Sequence, residues 1–202
     1  MRICFIGDSF VNGTGDDACL GWVGRIGAAM RAAGCDVTLY NLGVRRDTSA
    51  DIALRWRREA EARLPADQDG RLVFSFGAND CAAGDDGAAR LPLSVSLANA
   101  GAILAAARAW RPTLMLGPLP VGDAGTDPRI GILSRELGPL CARLDVPYLA
   151  VFDAMRACAP WRDEAAAGDG SHPGAKGYAA LAELVGSWAA LRDWMAASAT
   201  ER

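Results

Sequence analysis

Apolar residues fall along this chain in short consecutive runs. Longer stretches separate them, in which apolar positions recur every three or four residues. The runs RICFIG (2–7), DVTLYNLG (36–43), RLVFSFG (71–77), TLMLGP (113–118) and VPYLAVF (146–152) read as five strands. Several are apolar at successive positions, as in a parallel sheet buried on both faces. Between them, Trp22, Val23, Ile26 and Met30 make one helical stripe, ended by Gly34. Ile52 and Trp56 mark a second helix, with Thr48 and Asp51 in capping-box spacing ahead of it. Leu97, Ile103, Leu104 and Trp110 indicate a third. Asp127 as N-cap and Pro128 at the first helical position open a fourth, which carries Ile130, Leu133, Leu137, Cys141 and Leu144. Gly138–Pro139 should kink or split it. A last helix is expected from about Gly174 toward Trp194, with Tyr178, Leu181, Val185 and Trp188 inward.

Strand–helix alternation of this kind predicts a three-layer α/β/α sandwich on a five-stranded parallel sheet, flavodoxin-like in outline. We expect one domain, 1–202, with loops 83–88 and 118–127 the most flexible parts. Sites in such sheets form at the carboxyl ends of the strands. Those positions therefore carry the functional reading.

Composition narrows the partners. The net charge is −3, Lys176 is the only lysine, and no basic block exists, which argues against nucleic-acid binding. The longest charge-free run, Leu91 to Ala107, holds Pro92, Ser94, Ser96, Asn99 and Gly101. It is also shorter than the ~20 residues of a membrane span. With no leader visible, a cytoplasmic protein is expected. Cys4, Cys19, Cys35, Cys81, Cys141 and Cys158 form no CxxC pair, so zinc, a redox centre and disulfides are not expected.

Four strand-end loops hold the chemistry-bearing residues. GDSF places Ser9 after the first strand, and NLGVRRDTS places Gly43 after the second. GAND places Asn79 after the third, and DGSH near the C-terminus places Asp169 three residues before His172, the only histidine. Taken singly, these are an ordinary turn serine, turn glycine, loop asparagine and turn acid. Taken in order, across almost the whole chain, they resemble the four blocks of the SGNH hydrolases, also called the GDSL esterase/lipase family.

The chemistry explains the residue types. A serine hydroxyl needs a base to become a nucleophile, and an imidazole needs a carboxylate to hold its tautomer. The resemblance implies a Ser9–His172–Asp169 triad. It also implies an oxyanion hole from the Ser9 and Gly43 N–H groups and the Asn79 amide. Asp8 and Asp80 read as bracing residues, Asn41 as ordering the second loop, and Lys176 as solvated.

The implied reaction is hydrolysis of a small-molecule ester with a short-to-medium acyl chain, without metal or cofactor. Lysophospholipase, acyl thioesterase and carbohydrate acetylesterase chemistry use the same machinery. Phe10, Val11 and Asn12 are expected on one side of the acyl site, with the segment 118–128, made apolar by Leu119, Pro120 and Val121, as the opposing rim. Arg45 and Arg46 depart from the family block N-x-G-x-x-G-[DE]-[ST], since Arg46 stands at its second glycine. The expectation is that they pair with Asp47 or Asp51. The sharper reading is that one binds an anionic group of the substrate. Cys19 and Cys81 are incidental cysteines in loops that could approach the site. Trp194 and the apolar end of the last helix are candidate contact residues. A flavin or nucleotide binder is disfavoured, because GDSFVNGTG contains neither G-x-G-x-x-G nor G-x-x-x-x-G-K-[ST]. A non-catalytic module on the same fold is disfavoured by the intact set of site residues.

Overall fold

The computed structural model describes residues 1–199. In chain order the elements are β1 (Arg2–Gly7), α1 (Ser9–Asn12), α2 (Gly21–Ala32), β2 (Thr38–Gly43), α3 (Ser49–Glu61), β3 (Gly70–Ser75) and α4 (Ala78–Cys81). They continue as α5 (Leu93–Arg108), β4 (Thr113–Leu116), α6 (Asp127–Arg143), β5 (Tyr148–Leu149), α7 (Phe152–Ala157), α8 (Ala159–Ala167), α9 (Ala175–Ser187) and α10 (Ala189–Ala199). The five strands form one sheet in the order β2-β1-β3-β4-β5, and every pairing is parallel. The strand order reverses at β1 and β3, so the crevice lies above their carboxyl ends.

The centre of the sheet follows the apolar runs. Ile3, Cys4, Phe5 and Ile6 are fully buried in succession, as are Leu72 and Phe74 on β3. Trp22 on α2 packs edge-on against Phe5, and Trp56 on α3 packs edge-on against Phe74. The Thr48–Asp51 capping box is present in both directions at the start of α3. Gly34, at φ 84, ends the α2 region in the left-handed conformation where glycine is at ease.

The edges depart from expectation. β2 starts at Thr38, because its register is set by β1 beginning at Arg2. β5 shrinks to two residues, opposite Met115 and Leu116. The last sheet bond there runs from Gly117 N–H to Leu149 O, after which Val151 caps α7. α6 begins one residue earlier than expected, with Thr126 as its cap and Asp127 as its first residue; the Asp127 side chain accepts the Val121 N–H. Pro139 does not split α6. It lies on the solvent side, and the Tyr148 hydroxyl donates to the Ser134 carbonyl one turn earlier. The last helix is two helices, because Trp188 is extended (φ −67, ψ 123) after the weak helix formers Gly186 and Ser187. The bend lets Val185 and Leu191 both reach the core. Trp194 is half-buried against that core, with the Arg71 guanidinium 5.2 Å over its ring.

The two loops expected to be most flexible are tied down. Gly84 N–H bonds to Ala88 O, and Arg129 donates to Gly87 O. Asp123 accepts from the Gly125 and Thr126 N–H groups. Among the described residues no helix is long and apolar enough to cross a membrane.

Candidate active site

β1 ends at Gly7, which lies so close to β3 that a Cβ there would sit 1.9 Å from the Ser75 carbonyl. The chain then turns at Asp8 into the single turn of α1, and Asp8 Oδ1 accepts the Phe10 N–H at 3.0 Å. Asp8 is buried. Burial pushes its carboxyl up to about 7, against the pull of the Phe10 N–H and with help from the Asp80 and Asp47 charges. Ser9 follows at the first position of α1 and is itself 5% exposed.

Across from it, the loop between α8 and α9 brings up His172. His172 Nε2 lies 2.8 Å from Ser9 Oγ, and His172 Nδ1 lies 2.7 Å from Asp169 Oδ2. The other Asp169 oxygen accepts the Ser171 and His172 N–H groups at 3.0 and 2.9 Å. Burial works against the Asp169 charge, but these backbone bonds and the imidazole outweigh it and hold the carboxyl down to about 2. The imidazole is backed by the Phe10 ring, 5.0 Å away between centroids. Phe10 stacks on Trp161, and Trp161 meets Tyr178 edge-on.

α4 supplies Asn79, after Gly77 in the left-handed region at φ 118. The Asn79 amide donates one N–H to the Asp47 carbonyl at 3.0 Å. Asp80, fully buried, accepts the Ser49 N–H through Oδ1, while Oδ2 has no partner. Both aspartates thus brace backbone, as expected of them.

These loops surround a cavity of about 360 Å³ lined by Ser9, Phe10, Asn79, Ser171, His172, Arg45 and Arg46, with Ala78, Ala82, Val121, Asp123 and Thr126. A larger hollow, about 510 Å³, opens between α6 and α7 and shares the Asp123 wall. Its lining residues include neither serine nor histidine; the Ser9–His172 contact lies in the smaller one.

Several expected site residues lie elsewhere. Gly43 does not line the cavity; its N–H donates to Asn41 Oδ1 at 3.0 Å. It is glycine for packing, since a Cβ would sit 2.1 Å from the Asn12 nitrogen. Asn41 also donates to Val11 O and so ties β2 to α1, in keeping with its expected ordering role. Val11 is fully buried in the core, because one step along α1 from Phe10 turns it away from the cavity. Leu119 is buried too, and Pro120 turns to the far side, where its carbonyl accepts the Trp161 indole N–H. Asn12 is exposed and donates to the Gly43 carbonyl. Of the expected rim 118–128, Val121, Asp123 and Thr126 line the cavity.

Cys81 is buried on α4, and burial pushes its thiol up to about 12; Cys19 is exposed and outside the cavity lining. Arg45 and Arg46 do not pair with Asp47 or Asp51. Asp47 is held by Arg55 at 2.6 Å, and Asp51 closes the Thr48 capping box.

Arg55 and Glu164 were not foreseen. Arg55 reaches from α3 to the Gly7 and Leu42 carbonyls and to Asp47, joining the ends of β1 and β2 to the loop that meets Asn79. In the sequence it reads as one more arginine on a charged helix face. Glu164 of α8 accepts the Lys176 and Gly177 N–H groups and caps α9 directly after the base loop. Its distance in sequence from those donors hides that role.

The model of the GDSL-like lipase/acylhydrolase family matches residues 5–180, and the chain belongs to that family of hydrolases. The solved lipase/acylhydrolase from Enterococcus faecalis is 26% identical, with a TM-score of 0.74 over 95% of this chain and 96% of that one. An acetylxylan esterase from Geobacillus stearothermophilus shares the fold at 16% identity, with a TM-score of 0.73 over 94% and 95% of the two chains. The psychrotrophic esterase EstA from a Pseudoalteromonas species does so at 17%, with a TM-score of 0.71 over 96% and 98%. No curated protein matches the chain.

Proposed function

We propose that this hydrolase is a serine esterase that cleaves carboxylic esters of short-to-medium acyl chains through an acyl-enzyme. The observation that carries the reading is the unbroken line from Ser9 Oγ through the His172 ring to Asp169 Oδ2, opening into a cavity that Asn79 also lines.

Ser9 Oγ attacks the ester carbonyl as His172 Nε2 takes its proton, and Asp169 holds Nδ1–H and steadies the imidazolium. The imidazolium then protonates the leaving alcohol. A water, deprotonated by the same nitrogen, releases the acid and restores Ser9. The oxyanion is met by the Ser9 N–H and the second Asn79 amide hydrogen. The Gly43 N–H is already engaged, so the remaining donor falls to the turn closed by Asp47 N–H to Val44 O. Arg46 stands there at φ 72, lines the cavity and has no hydrogen bond on its own N–H among the described contacts.

The test is a panel of nitrophenyl esters and matched thioesters of graded chain length, with Ser9→Ala as the blank. Turnover of short esters well above the blank is expected. Turnover equal to the blank across the panel would sink the assignment. Thioester or lysophospholipid preference would move it to a sibling chemistry on the same machinery.

A further inference from the structure

The two arginines on the rim of the cavity have no ion-pair partner among the described residues. Asp47, one residue from Arg46, points away from the cavity and into the Arg55 guanidinium. Asp51 is taken by Thr48. Neither Arg45 nor Arg46 makes an ion pair or side-chain hydrogen bond among the described residues, yet both line the cavity that holds Ser9 and His172.

Asp123, the one carboxylate among the lining residues, keeps its charge but is turned to the Gly125 and Thr126 N–H groups, and Asp169 is bound to the imidazole; neither pairs with Arg45 or Arg46. Arg90 adds positive charge behind the turn, donating to the Arg46 carbonyl. So an acidic chain, with net charge −3, concentrates cationic side chains at one mouth. Arg46 also occupies a left-handed position that glycine would take without strain. What arginine adds there is its side chain.

We propose that Arg45 and Arg46 form an anion subsite, selecting esters that carry a carboxylate or phosphate group a few bonds from the scissile carbonyl. Both groups present the paired oxygens that a guanidinium fork matches. The proposal rests on the serine-esterase reading for its reaction, but the subsite can be tested without turnover.

Two matched pairs separate the sources of charge. One is 4-nitrophenyl hydrogen glutarate against 4-nitrophenyl pentanoate, which places a carboxylate on the acyl side. The other is acetyl glycerol phosphate against acetyl glycerol, which places a phosphate on the alcohol side. Rates are taken above the Ser9→Ala blank. In at least one pair, kcat/KM for the anionic ester should exceed that of the neutral one by about tenfold or more at low salt. The ratio should fall severalfold in Arg45→Gln/Arg46→Gln, which removes both charges while keeping polar side chains and the same backbone demand at position 46. Ratios near one in both pairs, or ratios indifferent to the substitutions, would overturn the subsite.

If no ester is turned over above the blank, the esterase reading fails and the subsite is judged by binding. Calorimetric titration of the Ser9→Ala protein with glutarate and with glycerol phosphate should show binding that weakens in the Gln variant. No binding, or binding equal in both proteins, overturns it as well.

Discussion

The two sides of the Ser9–His172 pair are built differently. The serine side is deep: Asp8, Ser9 and Asp80 are all buried, Gly7 admits no Cβ beside the Ser75 carbonyl of β3, and Gly43 admits none beside the Asn12 backbone of α1. The histidine side stands on an exposed loop, where the Asp169 side chain is 48% exposed. That loop is held by a few discrete contacts. Glu164 caps α9, the Tyr178 hydroxyl donates to the Thr14 carbonyl, and Gly170 N–H bonds to Ala165 O. The serine is therefore fixed by packing, whose loss is felt as instability. The base is fixed by hydrogen bonds, whose loss should be felt first as lost precision.

The largest expected effects test whether the two sides work as one unit. Ser9→Ala and His172→Ala should each lower kcat/KM by ~1000-fold or more, and the double variant should be no worse than either. Additive losses would mean that the two groups do not act together. Next, Asn79→Ala should cost ~100–1000-fold in kcat with KM little changed, because in the proposed mechanism the amide hydrogen not held by Asp47 is called on once the oxyanion forms. A rise in KM alone would make Asn79 a ground-state contact.

A smaller loss should separate precision from stability. Glu164→Ala removes the acceptor for two N–H groups at the start of α9 and should lower kcat several-fold. It should cost about 1 kcal/mol in denaturant titration, as loss of a helix cap does. Glu164→Gln retains an acceptor and should recover most of the rate. Full activity in Glu164→Ala would show that the aromatic backing of Phe10 and Trp161 suffices to hold the loop.

The same contrast explains what could be read from the chain. Consecutive apolar positions in β1 and β3 leave no room for another fold, and the Thr48–Asp51 spacing names its own cap. The serine, asparagine, aspartate and histidine are visible because the proposed chemistry needs those residue types. Orientation was not legible. Phe10 and Val11 are adjacent and apolar, and only the geometry of the short α1 decides that one faces the cavity and the other the core. Gly43 looked like a donor, but whether a strand-end N–H is free depends on Asn41, two residues back. Arg55 and Glu164 act across tertiary contacts that no local period records. The expected Arg45 and Arg46 pairings failed for a related reason: Asp47 had a better partner one helix away.

The smallest effect on turnover, and the sharpest contrast between the two sides, concerns protons. Asp169 is held down to about 2, mainly by bonds that outweigh its burial. Its loop therefore gains stability above the ordinary carboxyl value near ~4 and loses it as pH falls toward 2. Asp8 runs the other way, with burial pushing it up to about 7. Between pH ~4 and 7 the folded chain keeps a proton on Asp8 that the unfolded chain has released. Stability therefore declines as pH rises through that window, and the decline levels off above 7. Asp8→Asn keeps an oxygen for the Phe10 N–H and has no proton to lose. Urea titrations at pH 5 and pH 8 should show the wild type losing on the order of 2–4 kcal/mol between them, and the variant losing much less. Turnover should fall less than about tenfold, because Asp8 acts on the reaction only through the backbone of α1. An equal loss in both proteins would place the titrating group elsewhere, and would leave the buried side of the site no more sensitive to pH than the exposed one.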